Sequence, residues 1–208
     1  MNNMETWLST FGVIFAIIDP FGYVPIFLSL TSKDSEATRA KMVRKACFTA
    51  FLVLTLSTFL GQQVLRFFGI SIPALQISGG LILLVIGFEM MNILPGVHKL
   101  SQKEESEAEK KEDISIVPLA IPMLSGPASI ATVIVLSSQA QSLSDYPVIV
   151  SSILITLLIT YFVLRSSTRL IRFIGVTGLN VMTRIMGLLL CAIAIQTVID
   201  GYLAINDL

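Results

Sequence analysis

The sequence predicts an all-α, polytopic membrane protein: six transmembrane helices in two inverted three-helix repeats, with helices 1 and 4 broken. Three observations carry that prediction. Of 208 residues, 54% are hydrophobic and 13% charged, at a mean hydropathy of +0.82, against about 25% charged in soluble domains. Charge-free runs cover 46–65, 67–88, 114–144 and 146–164, each long enough to cross a hydrocarbon core that takes about 20 helical residues. A proline pattern also recurs between the two halves.

Other classes fall quickly. A soluble fold of this size could not hide so much apolar surface, and the same composition excludes disorder. A net charge of zero offers no global field for nucleic acid. Cys47 and Cys191 both lie in apolar segments, which argues against a disulfide framework or a zinc site. His98 is the only histidine and falls in a polar loop, so no His-based metal site or catalytic dyad is expected. The chain is therefore read as a non-enzyme without a cofactor. No Lys or Arg precedes Lys33, so the first apolar stretch is expected to stay as a helix rather than leave as a signal peptide.

The six segments fall at about 4–30, 45–67, 72–93, 114–137, 146–164 and 181–203. They are continuous and rich in Leu, Ile and Val, unlike the ten-residue alternation of barrel strands. Helices close their own backbone hydrogen bonds, as lipid requires. Lys and Arg set the orientation. Lys33, Arg39, Lys41, Arg44 and Lys45 fall in the first loop, Lys99, Lys103, Lys110 and Lys111 in the third, and Arg165, Arg169 and Arg172 in the fifth. Only Arg66 falls on the other side, and Arg184 lies within segment six. That bias puts the three loops in the cytoplasm and both termini outside. The 1–208 unit then reads as repeat 1 over about 1–94, a charged cytoplasmic tether over about 95–113, and repeat 2 over about 114–208.

The repeat is visible in three places. Asp19-Pro20-Phe21-Gly22-Tyr23-Val24-Pro25 and Pro122-Met123-Leu124-Ser125-Gly126-Pro127 each hold two prolines five residues apart around a glycine. Arg66-Phe67-Phe68-Gly69 precedes segment three as Arg172-Phe173-Ile174-Gly175 precedes segment six, and Gly80 matches Gly187. The offsets are 102, 106 and 107 residues. Three spans per half is an odd number, so the second copy enters from the opposite side. Secondary transporters of that plan place their site where two broken helices meet near the midplane.

The breaks have a chemistry. Proline removes a helical N–H bond, so Pro25, Pro122 and Pro127 would free the carbonyls of Phe21, Pro118 and Met123. Asp19-Pro20 reads as an N-cap with proline at the first helical position, and Ser125-Gly126-Pro127 as a neutral version of it. Half-helix ends attract a carboxylate at their amides, and freed carbonyls suit an ammonium group. Gly22, Ser125, Gly126 and Ala128 leave room for a compact solute. Asp19 is the acid nearest mid-depth, a candidate for proton or sodium coupling or for a substrate amine, and equally a helix cap. Arg184 and Glu89 are read as reaching the interface, with Arg184 retained as a further site candidate. Gly79, Gly80, Gly87 and Gly187 are read as close-packing positions. Trp7, Tyr146 and Tyr202 fit an aromatic belt.

These residues resemble the MarC family of bacterial inner-membrane proteins. The resemblance is carried by Asp19-Pro20-Phe21-Gly22 with Pro25, by Pro118 to Pro122 through Gly126-Pro127, and by Thr183-Arg184-Ile185-Met186-Gly187, with Phe68-Gly69-Ile70 and Gly79-Gly80 in agreement. It extends over almost the whole chain. It implies a multi-pass protein of the bacterial inner membrane that transports small neutral amino acids such as glycine and alanine. Asn often stands at the Asp19 position in that family. The expected partners are the lipid bilayer and a small-molecule substrate, with no nucleic acid and with room for a homo-oligomer. The rival reading is a non-transporting scaffold or sensor, which would have no use for paired broken helices.

Overall fold

The computed structural model describes residues 3–94, 113–140, 142 and 145–206. The expected charged tether lies outside the described residues except for Asp113. Within them stand eight helices and no strand: α1 (Asn3–Ile18), α2 (Tyr23–Leu30), α3 (Glu36–Phe67), α4 (Ile72–Met90), α5 (Ser115–Leu124), α6 (Pro127–Ser138), α7 (Asp145–Arg165) and α8 (Ser167–Asn206). Helices α3, α4, α7 and α8 are each long and apolar enough to span a membrane. The pairs α1–α2 and α5–α6, bent by 41° and 53° at short breaks, bring the candidate spans to six where each pair is counted as one. The protein is a multi-pass, all-helical membrane protein, as its sequence predicts.

Two boundaries differ from the sequence reading. Helix α3 starts at Glu36, where the Ser35 hydroxyl accepts the Thr38 amide at 3.2 Å. Arg39, Lys41, Arg44 and Lys45 therefore ride on its first turns rather than in a loop. Helix α8 starts at Ser167 and kinks at Gly175, where φ is 72°. Hydropathy alone misses both amphipathic entries, because charge interrupts them before the lipid-spanning part begins. Gly69 has φ of 68°, so the matched glycines ahead of α4 and within α8 both take a positive φ, which favours residues without a Cβ.

The third spans of the two repeats pack on each other with two-fold symmetry. A Cβ built at Gly80 would lie 2.8 Å from the Ala194 carbonyl oxygen, and one at Gly187 would lie 2.9 Å from that of Gly87. Gly80 and Gly187 are 107 residues apart, as are Gly87 and Ala194. Each contact is thus the symmetry mate of the other. Gly201 against Gln76 and Pro73, at the far end of the same interface, shows that α4 and α8 run antiparallel. An antiparallel pair of equivalent spans is what inversion of the repeat requires.

The main core gathers Val24 and Phe27 of α2, Ala46, Ala50 and Leu54 of α3, Leu119 of α5, and Ile153 and Leu157 of α7. Outward faces carry Phe48, Leu56, Phe162 and Leu188, all exposed, as a lipid-facing surface does. Lys45 and Asp113 form a half-exposed ion pair at 2.8 Å that ties α3 to the entry of α5. The Lys45 ammonium, with the Ser115 hydroxyl and amide, holds the Asp113 carboxyl at about 2. Of the predicted belt, Trp7 donates its indole N–H to the Ser151 hydroxyl at 3.1 Å, Tyr146 stacks on Phe59, and Tyr202 is exposed.

Candidate functional site

The first break spans 19–22. Helix α1 ends on the Asp19 amide, which donates to the Phe15 carbonyl at 3.0 Å. Asp19 then takes a left-handed φ of 38°, a conformation that Asp tolerates better than most residues. Its buried carboxylate accepts the Gly22 amide and the Thr183 hydroxyl. The cap expected from Asp19-Pro20 is corrected here: α2 begins at Tyr23 with Gly22 as its N-cap, and Pro20 lies in the turn ahead of it rather than at the first helical position. A Cβ at Gly22 would overlap the Asp19 carboxylate, so glycine allows the chain to fold over its own acid.

The second break is wider than the proline pattern suggests. Helix α5 is a π-type segment whose Val117 (φ −126°, ψ 118°) and Ile121 (φ −128°, ψ 121°) are extended. Each precedes a proline, which disfavours helical backbone at the residue before it. Helix α6 restarts at Pro127, with Gly126 extended ahead of it. The cap expected from Ser125 is corrected here. Its hydroxyl and its amide each reach the Ala120 carbonyl at 2.9 Å, so Ser125 closes α5 instead of capping α6. A Cβ at Gly126 would stand 2.5 Å from the Pro122 carbonyl oxygen.

The two breaks touch. Pro127 has no N–H to offer Met123, and the Tyr23 hydroxyl donates to the Met123 carbonyl instead, at 2.7 Å. The bundle also holds two cavities. One, of about 650 Å³, is lined by Thr10 of α1, Thr132 of α6, and Ile193, Gln196, Thr197 and Asp200 of α8. The other, of about 700 Å³, is lined by Asp19, Ser29 of α2, Ile86, Glu89 and Met90 of α4, and Thr183 of α8. The first lies toward the start of α1 and the end of α8, the second toward the ends of α2 and α4. Ile86, Glu89, Met90 and Ile93 in the second cavity correspond, at 107 residues, to Ile193, Gln196, Thr197 and Asp200 in the first. The cavities are thus symmetry mates. A small apolar cluster of Ala16, Ile17, Leu83, Ile86, Ala128, Leu190 and Ala194 contributes Leu83 to one wall, and Ile17 and Ile86 to the other.

The sequence-predicted residues divide accordingly. Asp19, Gly22 and Pro25 line the second cavity, and Pro20 is buried beside them. Ser125 and Gly126 are buried, Pro122 and Pro127 are exposed, and none of the four lines either cavity. Arg184 is exposed and lines neither. Glu89, read from sequence as an interface residue, stands in the second cavity's wall. The Met123 carbonyl is the one that Pro127 was expected to free, whereas Tyr23 and Thr183 were named only as members of motifs. Tyr23 lies within a proline-flanked break, and that signal could have found it. Thr183 comes from a distant helix, and only the fold brings it to Asp19.

Comparison with known proteins agrees with this architecture. Residues 4–205 match the profile of a family described as MarC family integral membrane protein. Similar proteins include the UPF0056 membrane protein MJ1677 of Methanocaldococcus jannaschii, 35% identical over 96% of this chain and 97% of its own length. The UPF0056 membrane protein YhcE of Escherichia coli is 36% identical over 90% of this chain and 87% of its own. YvbG of Bacillus subtilis is 34% identical over 90% of each. No solved structure matches.

Proposed function

We propose that this chain, which belongs to the MarC family of integral membrane proteins, moves small neutral amino acids of the glycine and alanine class across the membrane as a secondary transporter or exporter. The observation that carries the reading is the contact of two broken helix pairs, Tyr23 to Met123, in a bundle that also holds two symmetry-related cavities. Broken helices are costly in lipid and are tolerated where protein or a polar cavity covers them. Paired across an inverted repeat, they suit a site reached alternately from either side. In the predicted orientation, with both termini outside, the first cavity opens outward and the second toward the cytoplasm.

The helix ends suit a zwitterion. Helix α1 ends its carbonyls at Ile18, and α6 begins its amides just after Pro127. Ile17 and Ala128 share one apolar cluster, so the negative end of one helix and the positive end of the other approach the same place. A solute with an ammonium and a carboxylate a few ångströms apart complements both ends. The proposal assigns no catalytic residue and no cofactor. The test is uptake and counterflow of glycine, alanine and serine in proteoliposomes, with and without proton and sodium gradients. Gly126→Val, whose side chain meets the Pro122 carbonyl, should abolish flux while the protein still inserts. Normal flux in that variant would place the site elsewhere.

A further inference from the structure

The Asp19 carboxylate is only half satisfied. Oδ1 has no hydrogen-bond partner, so the Gly22 amide and the Thr183 hydroxyl both fall to Oδ2. The side chain is 7% exposed and lines the second cavity. A buried acceptor without a donor is uncommon in folded proteins and marks a place where something else supplies one. The Tyr23 hydroxyl is engaged by Met123. Among the described residues no Lys, Arg or His lines either cavity; the ionisable acids on their walls are Asp19 and Glu89 in one, Asp145 and Asp200 in the other. Helix α1, 16 residues long, ends at Ile18, next to Asp19, so its negative dipole end adds to the same attraction.

We propose that the Asp19 carboxylate, whose Oδ1 is sealed from solvent and still lacks a donor, is the acceptor for a monovalent cationic group entering from the second cavity, either the primary ammonium of a translocated solute or a sodium ion. The ammonium form rests on the transport reading; the sodium form stands without it. Either way the site selects for positive charge and rejects carboxylates that lack an amine.

Thermal protection of the purified full chain in detergent tests the proposal, with four probes: glycine, glycinamide (amine without carboxylate), propionate (carboxylate without amine), and sodium chloride against choline chloride. Glycine and glycinamide should protect and propionate should not, with Asp19→Asn weakening the apparent glycinamide affinity at least tenfold. Asp19-dependent protection by sodium chloride but not choline chloride would identify the ion as the cation bound. Equal protection by propionate, protection unchanged in Asp19→Asn, or protection by no probe overturns the proposal. Should Asp19→Asn fail to fold, Ser29→Cys in a background with Cys47→Ala and Cys191→Ala keeps it testable. A cationic methanethiosulfonate should modify that thiol at least tenfold faster than an anionic one, each scaled to a free thiol, and an equal ratio overturns the proposal. Asp19-dependent glycinamide binding without glycine flux defeats only the transport reading, whereas flux without such binding defeats only this one.

Discussion

Gly80→Ala and Gly187→Ala should destabilise the bundle by similar amounts, because the two positions are symmetry mates at one crossing. At Gly80 the new Cβ would meet the Ala194 carbonyl oxygen at 2.8 Å and Val198 Cγ2 at 2.6 Å. At Gly187 it would meet the Gly87 carbonyl oxygen at 2.9 Å, Met90 Cβ at 2.7 Å and Met91 Cγ at 3.2 Å. A side chain such as Val198 can yield, but a helical carbonyl cannot rotate away, so α4 and α8 must part by a few tenths of an ångström along their shared interface. Such overpacking costs about 1–3 kcal/mol, offset by about 1 kcal/mol from replacing a helical glycine with alanine. Gly12→Ala separates the two terms, since a Cβ there meets nothing within 4 Å and only the propensity gain remains. Each interface variant should therefore fall about 1–3 kcal/mol below Gly12→Ala. The double variant should cost less than the sum, because helices already parted accommodate the second methyl more cheaply. Equilibrium unfolding of purified protein from mixed micelles measures all four. Interface variants as stable as Gly12→Ala would refute the packing argument, and a large cost at one glycine with none at the other would refute its symmetry.

Tyr23→Phe leaves the buried Met123 carbonyl without its donor and should cost about 1–3 kcal/mol, whereas Tyr161→Phe, which loses only an exposed Arg165 contact, should stay within about 0.5 kcal/mol by the same unfolding assay. The Asp113 carboxyl sits below its ordinary range near 4, so its pairing with Lys45 stabilises fully above that range and fades as pH falls through about 2. Both groups are half exposed, so Asp113→Asn should cost less than about 1 kcal/mol at pH 7 and still less near pH 2, read from stability curves at the two pH values. For orientation, Ser142→Cys should react with a membrane-impermeant maleimide in intact cells and Lys33→Cys only after lysis; the reverse pattern would invert the assignment.

The four long spans and the two bent helix pairs were legible in the sequence because lipid imposes one requirement, a long apolar run, that composition reports directly. The repeat was legible because Gly69 and Gly175, and Gly80 and Gly187, answer to local constraints that a glycine records: a left-handed φ in one pair and a helix contact in the other. The breaks were located to within a few residues through their prolines. Their internal geometry was not. Val117 and Ile121 are extended because each precedes a proline, a local rule that reading Pro118 and Pro122 as simple helix breakers passes over. Ser125 was misread as a cap because its own residue type fits one, while the Ala120 carbonyl that claims it comes within reach only through the wider i→i+5 turn that closes α5. Thr183 and Glu89 reach the second cavity through the α4–α8 packing, and no spacing along the chain encodes that approach.

The two repeats share a backbone plan but not its chemistry, and the difference is informative. At the 102-residue offset Asp19 corresponds to Ile121, an extended residue that is 41% exposed. At the 107-residue offset Glu89 corresponds to Gln196, and Ile93 to Asp200. A transporter whose two ends exchange roles needs matched glycines, matched breaks and matched helix contacts, because each conformation must be nearly as stable as the other. It does not need two deep charges. A second carboxylate opposite the first would double the desolvation cost in lipid and repel the one already there. One acid at the first break, one apolar residue at its mate, and a cavity on each side together fit a single site served from two directions.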